Sequence, residues 1–282
     1  MDTFALARKD GGAAAQDLFN GAFYRSTLVM RSPPKEGLDA QEIVTLLKYQ
    51  AHVVGRDVLD IGVGTGRTAR VLAGLARRYV AIDYSPLVVA EAHRNMPNLQ
   101  VHLEDMRDLQ RWGDGTLDFV FGPNNVIDAV SHADRERTLD EVRRVLREGG
   151  LFVFSSHNRC YFRAQSGPRF EVSRNPVTFV LRVVRYLRSL RLHVRMKPMR
   201  RFEDDYALLD DCGPDHALLH YYVDRSAQER QLQNAGFELL EVLDRDGATV
   251  APGEMAPDSS CLMYVARKPL LGAEGASPLP RA

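Results

Sequence analysis

The sequence predicts an α/β fold in which a mainly parallel sheet carries helices on both faces, and two observations support it. First, short apolar runs alternate with segments that repeat apolar residues at helical spacing between residues 58 and 156. Second, residues 58–68, VLDIGVGTGRT, pass from an apolar run into a glycine-rich turn and then into an alanine-rich segment. Strands that alternate with helices are joined by right-handed crossovers, which make the strands parallel.

The N-terminal 50 residues carry two helical patterns, and prolines at positions 33 and 34 break the chain between them. We expect a helical cap here, with Tyr24 either facing a ligand or packing on the sheet. Farther along, Ser85 and Pro86 predict a helix start, and Gly149 follows a third amphipathic helix as its stop signal.

Gly62, Gly64 and Gly66 form the turn after the first predicted strand. Glycine takes backbone angles that are closed to other residues and has no Cβ. A ligand can therefore lie directly against the turn and against the N-terminus of the helix beyond it. The turn predicts a pocket for a nucleotide-like ligand.

The spacing of these glycines excludes two phosphate-binding motifs. A dinucleotide fingerprint needs its third glycine where this chain has Arg67, and no Gly-Lys-Ser/Thr of a P-loop follows. What remains is Asp60 two residues before the glycines and a second acid, Asp83, at the end of the next apolar run, residues 79–82. This combination resembles class I S-adenosylmethionine-dependent methyltransferases.

The resemblance implies S-adenosylmethionine as cofactor and S-adenosylhomocysteine as product. It places the methionine part of the cofactor at the glycine turn, the ribose hydroxyls at Asp83, and the adenine at Asp105 and Met106 after the third strand. Asp60 could instead act by ordering the turn. The implied cofactor site comprises Asp60, Gly62, Gly64, Gly66, Asp83, Tyr84, Asp105, Met106 and Asn124.

The same resemblance implies a Rossmann-like sheet of seven strands in the order 3-2-1-4-5-7-6, with the last strand antiparallel. Residues 237–243 and 260–267 supply its sixth and seventh strands. The predicted divisions are a helical cap (1–50), a cofactor-binding core (51–157), an insertion or lid (158–214), the C-terminal part of the core (215–268) and a disordered tail (269–282).

The predicted insertion contains a helix over residues 177–194 with an apolar face and a basic face, and the chain stays basic from Arg182 to Arg201. Three interpretations remain open: a solvated face, a peripheral contact with an anionic surface such as lipid or nucleic acid, or a lid whose arginines meet an acidic substrate.

The composition of the chain narrows the range of possible functions further. Lysine plus arginine equals aspartate plus glutamate at 37 each, which argues against an obligatory nucleic-acid binder. Cys160, Cys212 and Cys261 are widely spaced and include no C-x-x-C pair, so neither a disulfide framework nor a metal site is predicted. The N-terminus lacks a signal-peptide pattern, and we expect a cytoplasmic protein. The sequence leaves the oligomeric state open.

Acceptor residues are predicted from the rule that ligands of open α/β sheets lie beyond the carboxyl ends of strands. The rule selects Asn124 and Asn125 after the fourth strand and Ser156, His157 and Asn158 after the fifth. His157 is the candidate general base, the alternative being a histidine that only hydrogen-bonds its loop. The candidate acceptor-pocket residues are Tyr24, Asn125, His220, Tyr221 and Tyr222.

These observations lead to the expectation of methyl transfer to the oxygen or nitrogen of a small-molecule acceptor. In-line displacement at a sulfonium mainly requires that the acceptor be positioned and stripped of water. Two alternatives remain: an acceptor that is a lipid-linked glycan or RNA docked by the basic insertion, and an enzyme that uses S-adenosylmethionine for another reaction.

Overall fold

The computed structural model describes residues 12–26, 37–210 and 216–270. The predicted tail from residue 271, the proline link at 33–34 and Cys212 lie outside these ranges. The helices are α1 (Gly12–Tyr24), α2 (Ala40–Lys48), α3 (Ala69–Leu75), α4 (Pro86–Asn95), α5 (His132–Val145), α6 (Pro176–Met196) and α7 (Arg225–Asn234). The strands are β1 (Asp57–Ile61), β2 (Arg78–Asp83), β3 (Gln100–Leu103), β4 (Leu117–Gly122), β5 (Leu146–Asn158), β6 (Arg201–Phe202), β7 (Tyr206–Asp210), β8 (Leu219–Val223), β9 (Glu238–Leu243) and β10 (Cys261–Arg267).

The main sheet confirms the predicted architecture. Strands β3, β2, β1, β4 and β5 lie side by side and run parallel. Strand β10 pairs antiparallel with β5 and with β9, which completes the order 3-2-1-4-5-7-6. Apolar side chains of the strands form a core cluster on each face of the sheet, against the helices.

A branch of the sheet was not predicted. Strand β10 occupies one edge of β5 from Leu151 to His157, so β8 must share the other edge with β4. Strand β4 ends opposite Phe154, and the pairing of β8 with β5 begins at His157, opposite Tyr222. Strands β7 and β6 follow β8 antiparallel. Strands β7 and β8 of this branch lie on either side of the predicted boundary at residue 214.

Two amide side chains of helix α1 attach it to the region where this branch begins. Gln16 Nε2 donates to the carbonyl of Asp128, and Asn20 Nδ2 donates to the carbonyls of Ala129 and Leu219. The amide of Leu219 in turn donates to Asn20 Oδ1. The helix is thereby fixed to the segment after β4 and to β8.

None of the helices in the described ranges combines the length and apolar character that a membrane span requires.

Candidate active site

A cavity of about 590 Å³ lies at the carboxyl ends of β1, β2 and β4, with α1 as one wall. The strand order reverses between β1 and β4, and open α/β sheets bind ligands in the crevice beyond the strand ends at such a point. Most of the predicted site residues meet here. Those that line it are Tyr24, Gly62, Gly64, Asp83, Tyr84, Asp105, Met106, Asn124, Asn125, His157 and His220.

The three glycines of the turn have different surroundings. All have positive φ, at +72° for Gly62, +54° for Gly64 and +82° for Gly66. A Cβ on Gly62 would lie 2.5 Å from Val126, and a Cβ on Gly66 would lie 2.2 Å from Met96. At Gly64 the nearest atom would be the Gly62 carbonyl oxygen at 3.9 Å. Gly62 and Gly64 line the cavity, whereas Gly66 packs behind it.

Asp60 is fully buried and does not line the cavity. Its Oδ2 accepts hydrogen bonds from Thr68 Oγ1 at 2.5 Å and from the Tyr79 hydroxyl at 2.7 Å. Burial raises the pKa of Asp60 to about 6, although both hydroxyls act against this shift. Because Thr68 directly precedes α3 and Tyr79 belongs to β2, Asp60 links the end of β1 to the start of α3 and to β2.

Asp83 lies at the carboxyl end of β2 with its carboxylate at the cavity. Oδ1 accepts from the amide of Ser85 at 2.9 Å, and Oδ2 accepts from the amide of Gly64 at 3.3 Å. Burial raises the pKa of Asp83, and these two amides offset the rise only in part. The hydroxyl of Tyr84 donates to the carbonyl of Asn20 in α1 at 3.4 Å.

Asp105 and Met106 line the end of the cavity beyond β3. Arg107 donates to both oxygens of Asp105, at 2.9 and 2.7 Å, and also to Asp134 at 2.8 Å. Burial alone would raise the pKa of Asp105, but Arg107 outweighs it and holds that pKa below its ordinary value. Sequence reasoning missed Arg107 as a lining residue.

Two polar atoms of the lining are buried without a hydrogen-bond partner among the described residues. They are Ser85 Oγ beside Asp83 and Asn125 Oδ1 after β4. Asn124 and Asn125 both adopt the left-handed backbone region, with φ of +55° and +58°, which asparagine tolerates better than most residues. Since burying an unpaired polar group is costly, these atoms fit a site whose ligand supplies their partners.

His157 is held in place by Asp128, a residue that sequence reasoning missed. Nδ1 of His157 lies 2.7 Å from Asp128 Oδ2, and the backbone amide of His157 donates to the same oxygen at 2.7 Å. Arg135 and Ser156 bind the other oxygen, Oδ1. Burial would raise the pKa of Asp128, but Arg135 and then His157 lower it below its ordinary value. The only sequence signal was its position shortly after β4.

The predicted acceptor cluster on β8 divides between the two faces of that strand. The ring of His220 stacks on His157 with centroids 5.1 Å apart, and Tyr222 stacks on His157 at 4.7 Å. The hydroxyl of Tyr24 lies 3.4 Å from His220 Nε2. Tyr221 points away from both rings and lies 2.8 Å from His132 Nδ1, because neighbouring residues of a strand face opposite sides.

A second cavity, of about 670 Å³, adjoins the first and shares Asn125 and His157 with it. Its far walls are the segment of residues 161–171 and helix α6. Four arginines and three tyrosines contribute most of its polar and aromatic surface. They are Arg163, Arg169, Arg182, Arg185, Tyr161, Tyr186 and Tyr222.

Helix α6 is attached to β7 by a buried polar cluster. Asp210 Oδ2 lies 2.6 Å from His193 Nδ1 and 3.3 Å from His216 Nδ1, and Arg200 binds Oδ1. Two histidines and a carboxylate at this spacing are ligands that a metal could use. Here the guanidinium of Arg200 already neutralises the carboxylate.

Comparisons with known proteins concern the family and the fold of this chain. Residues 58–150 match the family model described as a methyltransferase domain. A protein of Mycolicibacterium smegmatis named as a probable S-adenosylmethionine-dependent methyltransferase is 33% identical over 109 residues, which cover 38% of this chain and 40% of that protein. The demethylmenaquinone methyltransferase of Beutenbergia cavernae is 37% identical over 102 residues, or 35% of this chain and 40% of that protein. The chain thus spans about two fifths of the length of these relatives.

The fold has solved counterparts. The Burkholderia thailandensis 1,6-didemethyltoxoflavin-N1-methyltransferase, solved with its substrate and S-adenosylhomocysteine, superposes with a TM-score of 0.51 at 15% identity, over 82% of this chain and 79% of that chain. At this identity the likeness concerns the fold.

Proposed function

We propose that this chain, a class I S-adenosylmethionine-dependent methyltransferase by family and fold, transfers a methyl group to an oxygen or nitrogen of a small-molecule acceptor. The observation that carries the proposal is the first cavity. There the Gly64 backbone, the Asp83 carboxylate and the unpaired Ser85 and Asn125 atoms surround one space. A small-molecule acceptor is supported by the named substrate of the Burkholderia neighbour.

Each end of the cavity has groups suited to one part of the cofactor. In this proposal Gly62 and Gly64 hold the methionine part, Asp83 accepts from the ribose hydroxyls with Tyr84 beside it, and Asp105 and Met106 border the adenine. When bound, the cofactor supplies an electrophilic methyl group on its sulfonium. Helix α1 then covers the site and helps exclude water.

His157 is proposed as the group that takes the acceptor proton. The lowered pKa of Asp128 keeps that carboxylate ionised near neutral pH, so it can only accept hydrogen bonds. In the neutral imidazole that acts as the base, the ring proton is therefore on Nδ1, and Nε2 is the nitrogen that accepts a proton. In the transfer the sulfur–methyl bond breaks, the acceptor–methyl bond forms and the acceptor proton moves to Nε2 of His157.

The first test is calorimetric titration with S-adenosylmethionine and S-adenosylhomocysteine. Asp83→Asn keeps the shape of the side chain but removes its charge, which costs a charge-assisted hydrogen bond on the order of 1.5–3 kcal/mol. We expect cofactor affinity to fall about ten- to a hundredfold. The control is Asp108→Asn, which makes the same charge change at an exposed residue outside the cavity.

Two results would count against the proposal. If neither compound binds the wild-type protein at millimolar concentration, the methyltransferase assignment fails. If Asp83→Asn folds and binds both compounds as tightly as the control variant does, the ribose assignment of Asp83 fails while the rest stands.

A second candidate function is docking on an anionic lipid surface, favoured by the outer face of α6. Its exposed apolar side chains include Val177, Val180, Leu181, Val184, Leu187 and Val194. No acidic residue occurs between Glu171 and Glu203, whereas arginines are frequent there. An apolar helix face with basic neighbours gains from contact with acyl chains and anionic headgroups together, which RNA does not offer. Self-association through this face would bring the same arginines against one another.

A further inference from the structure

We infer that the acceptor carries an anionic group, a carboxylate or a phosphate, and that this group binds in the second cavity. We call this the arginine cavity and define it by Arg163, Arg169, Arg182 and Arg185. The inference rests on the proposed methyl transfer and specifies its substrate class.

The position of the arginine cavity relative to His157 is the first argument. Asn125 and His157 line both cavities, so they form the junction between the cofactor side and the arginine side. A molecule whose anionic end lies among the arginines can thus present its nucleophile at this junction. There it would meet the histidine that accepts its proton and face the methyl donor.

The two cavities differ in charge, which is the second argument. The first has four acidic residues, Asp17, Asp83, Glu104 and Asp105, against Arg25 and Arg107. This surface suits a cofactor with a positive sulfonium. The arginine cavity has the opposite balance, with four arginines and a single acid, Glu171.

Glu171 does not neutralise the arginine cavity, because one carboxylate carries a single charge against four guanidinium groups. Its Oε2 lies 3.6 Å from Arg182 Nη1. Arg182 is also oriented by the carbonyl of Val172 at 3.1 Å. A cavity with an excess of guanidinium groups favours carboxylate or phosphate ligands, because the planar fork can donate two parallel hydrogen bonds to either.

The aromatic lining is the third argument. Tyr222 packs on the ring of His157 at 4.7 Å and is almost fully buried. Tyr161 and Tyr186 line the same space. These rings give the body of the acceptor an apolar surface between the arginines and the base, so that the arginines bind one end of the molecule and leave its nucleophile at the junction.

The test uses pyrophosphate and citrate as probes, titrated by calorimetry into protein saturated with S-adenosylhomocysteine. Saturation fills the cofactor side, so the anions report on the arginine side. We expect at least one probe to bind with a Kd below about 10 mM, and Arg169→Gln/Arg185→Gln to weaken that binding about tenfold or more. The tighter of the two probes distinguishes a phosphate from a carboxylate acceptor.

The control is Arg188→Gln/Arg191→Gln, which removes the same charge at two exposed positions of α6 outside the cavity. We expect it to bind the probes like wild type. Failure of both anions to bind, or an equal loss in the two double variants, would overturn the inference. The affinity for S-adenosylhomocysteine is measured first in each sample and separates two outcomes. If the cofactor product binds normally but the anions do not bind, only the acceptor class is overturned. If the cofactor product does not bind, the proposed function is overturned and this inference with it.

Discussion

Among single residues, His157 carries the chemical part of the proposal. His157→Gln keeps a polar side chain but removes the proton acceptor, so we expect methyl transfer to fall about a hundredfold or more while cofactor affinity stays unchanged. Transfer of labelled methyl from S-adenosylmethionine into a small-molecule cell extract measures this without a known acceptor. His102→Gln, on β3 and outside both cavities, is the control. If His157→Gln transfers labelled methyl groups as fast as the wild-type protein, positioning of the acceptor alone accounts for the reaction.

The residues around His157 show what sequence could and could not reveal. His157 itself follows from the strand-end rule, since it lies near the end of β5. Asp128 does not, because its contact with His157 joins residues 29 positions apart and no spacing pattern marks it. Tyr221 is a different case. Once residues 219–223 form a strand, alternation alone separates it from His220 and Tyr222.

At the level of secondary-structure elements, the attachment of α6 to β7 depends on Asp210. Asp210→Asn leaves Arg200 without its anionic partner in a buried setting, so we expect the free energy of unfolding to fall by about 3–5 kcal/mol. Urea unfolding measures the change. Asp204→Asn, on an exposed side chain of the same segment, is the control. A variant as stable as that control would mean that α6 is held by apolar packing instead.

The effect of Asp210→Asn on the free energy of unfolding should depend on pH. Burial would raise the pKa of Asp210, but His216 and Arg200 hold it below its ordinary value. A carboxyl with a depressed folded pKa stabilises the protein above its unfolded pKa of about 3.9, and this contribution is lost as pH falls through the folded pKa. The stability difference between wild type and Asp210→Asn should therefore shrink as the pH falls below about 4.

The branch formed by β8, β7 and β6 shows the limit of sequence reasoning for elements. The strands and helices of the main sheet have local signatures, such as the apolar run and turn around Gly62, and these were predicted. The branch depends on β8 pairing with only His157 and Asn158, at the end of a 13-residue strand. Pairing between residues that are 65 positions apart leaves no local pattern, so the hairpin was divided between two predicted segments.

For the molecule as a whole, the overall charge concealed the charge of individual surfaces. Equal numbers of acidic and basic residues argued against an obligatory nucleic-acid binder. In the structure four acids line the first cavity, and four arginines line the arginine cavity. The basic run was visible in the sequence, but not which of its arginines line a cavity. Arg182 and Arg185 line a cavity, whereas Arg188 and Arg191 do not.

The outer face of α6 gives the last prediction, which concerns how the whole molecule meets a membrane surface. We expect the protein to sediment with phosphatidylcholine vesicles that contain phosphatidylglycerol, and not with pure phosphatidylcholine. High salt should weaken this binding because it screens the arginine–headgroup attraction. Val180→Asp/Val184→Asp places two charges on the exposed apolar face and should abolish sedimentation.

The control is Leu47→Asp/Val54→Asp, which changes two equally exposed apolar side chains far from α6 in the chain, and it should sediment like wild type. Salt-independent binding, or equal binding to neutral vesicles, would contradict an anionic lipid surface. Light scattering tests the alternative that two copies of the protein associate through this face. If the protein is a dimer that Val180→Asp/Val184→Asp converts to a monomer, the apolar face is a contact between two copies and the arginines beside it are neutralised within that contact.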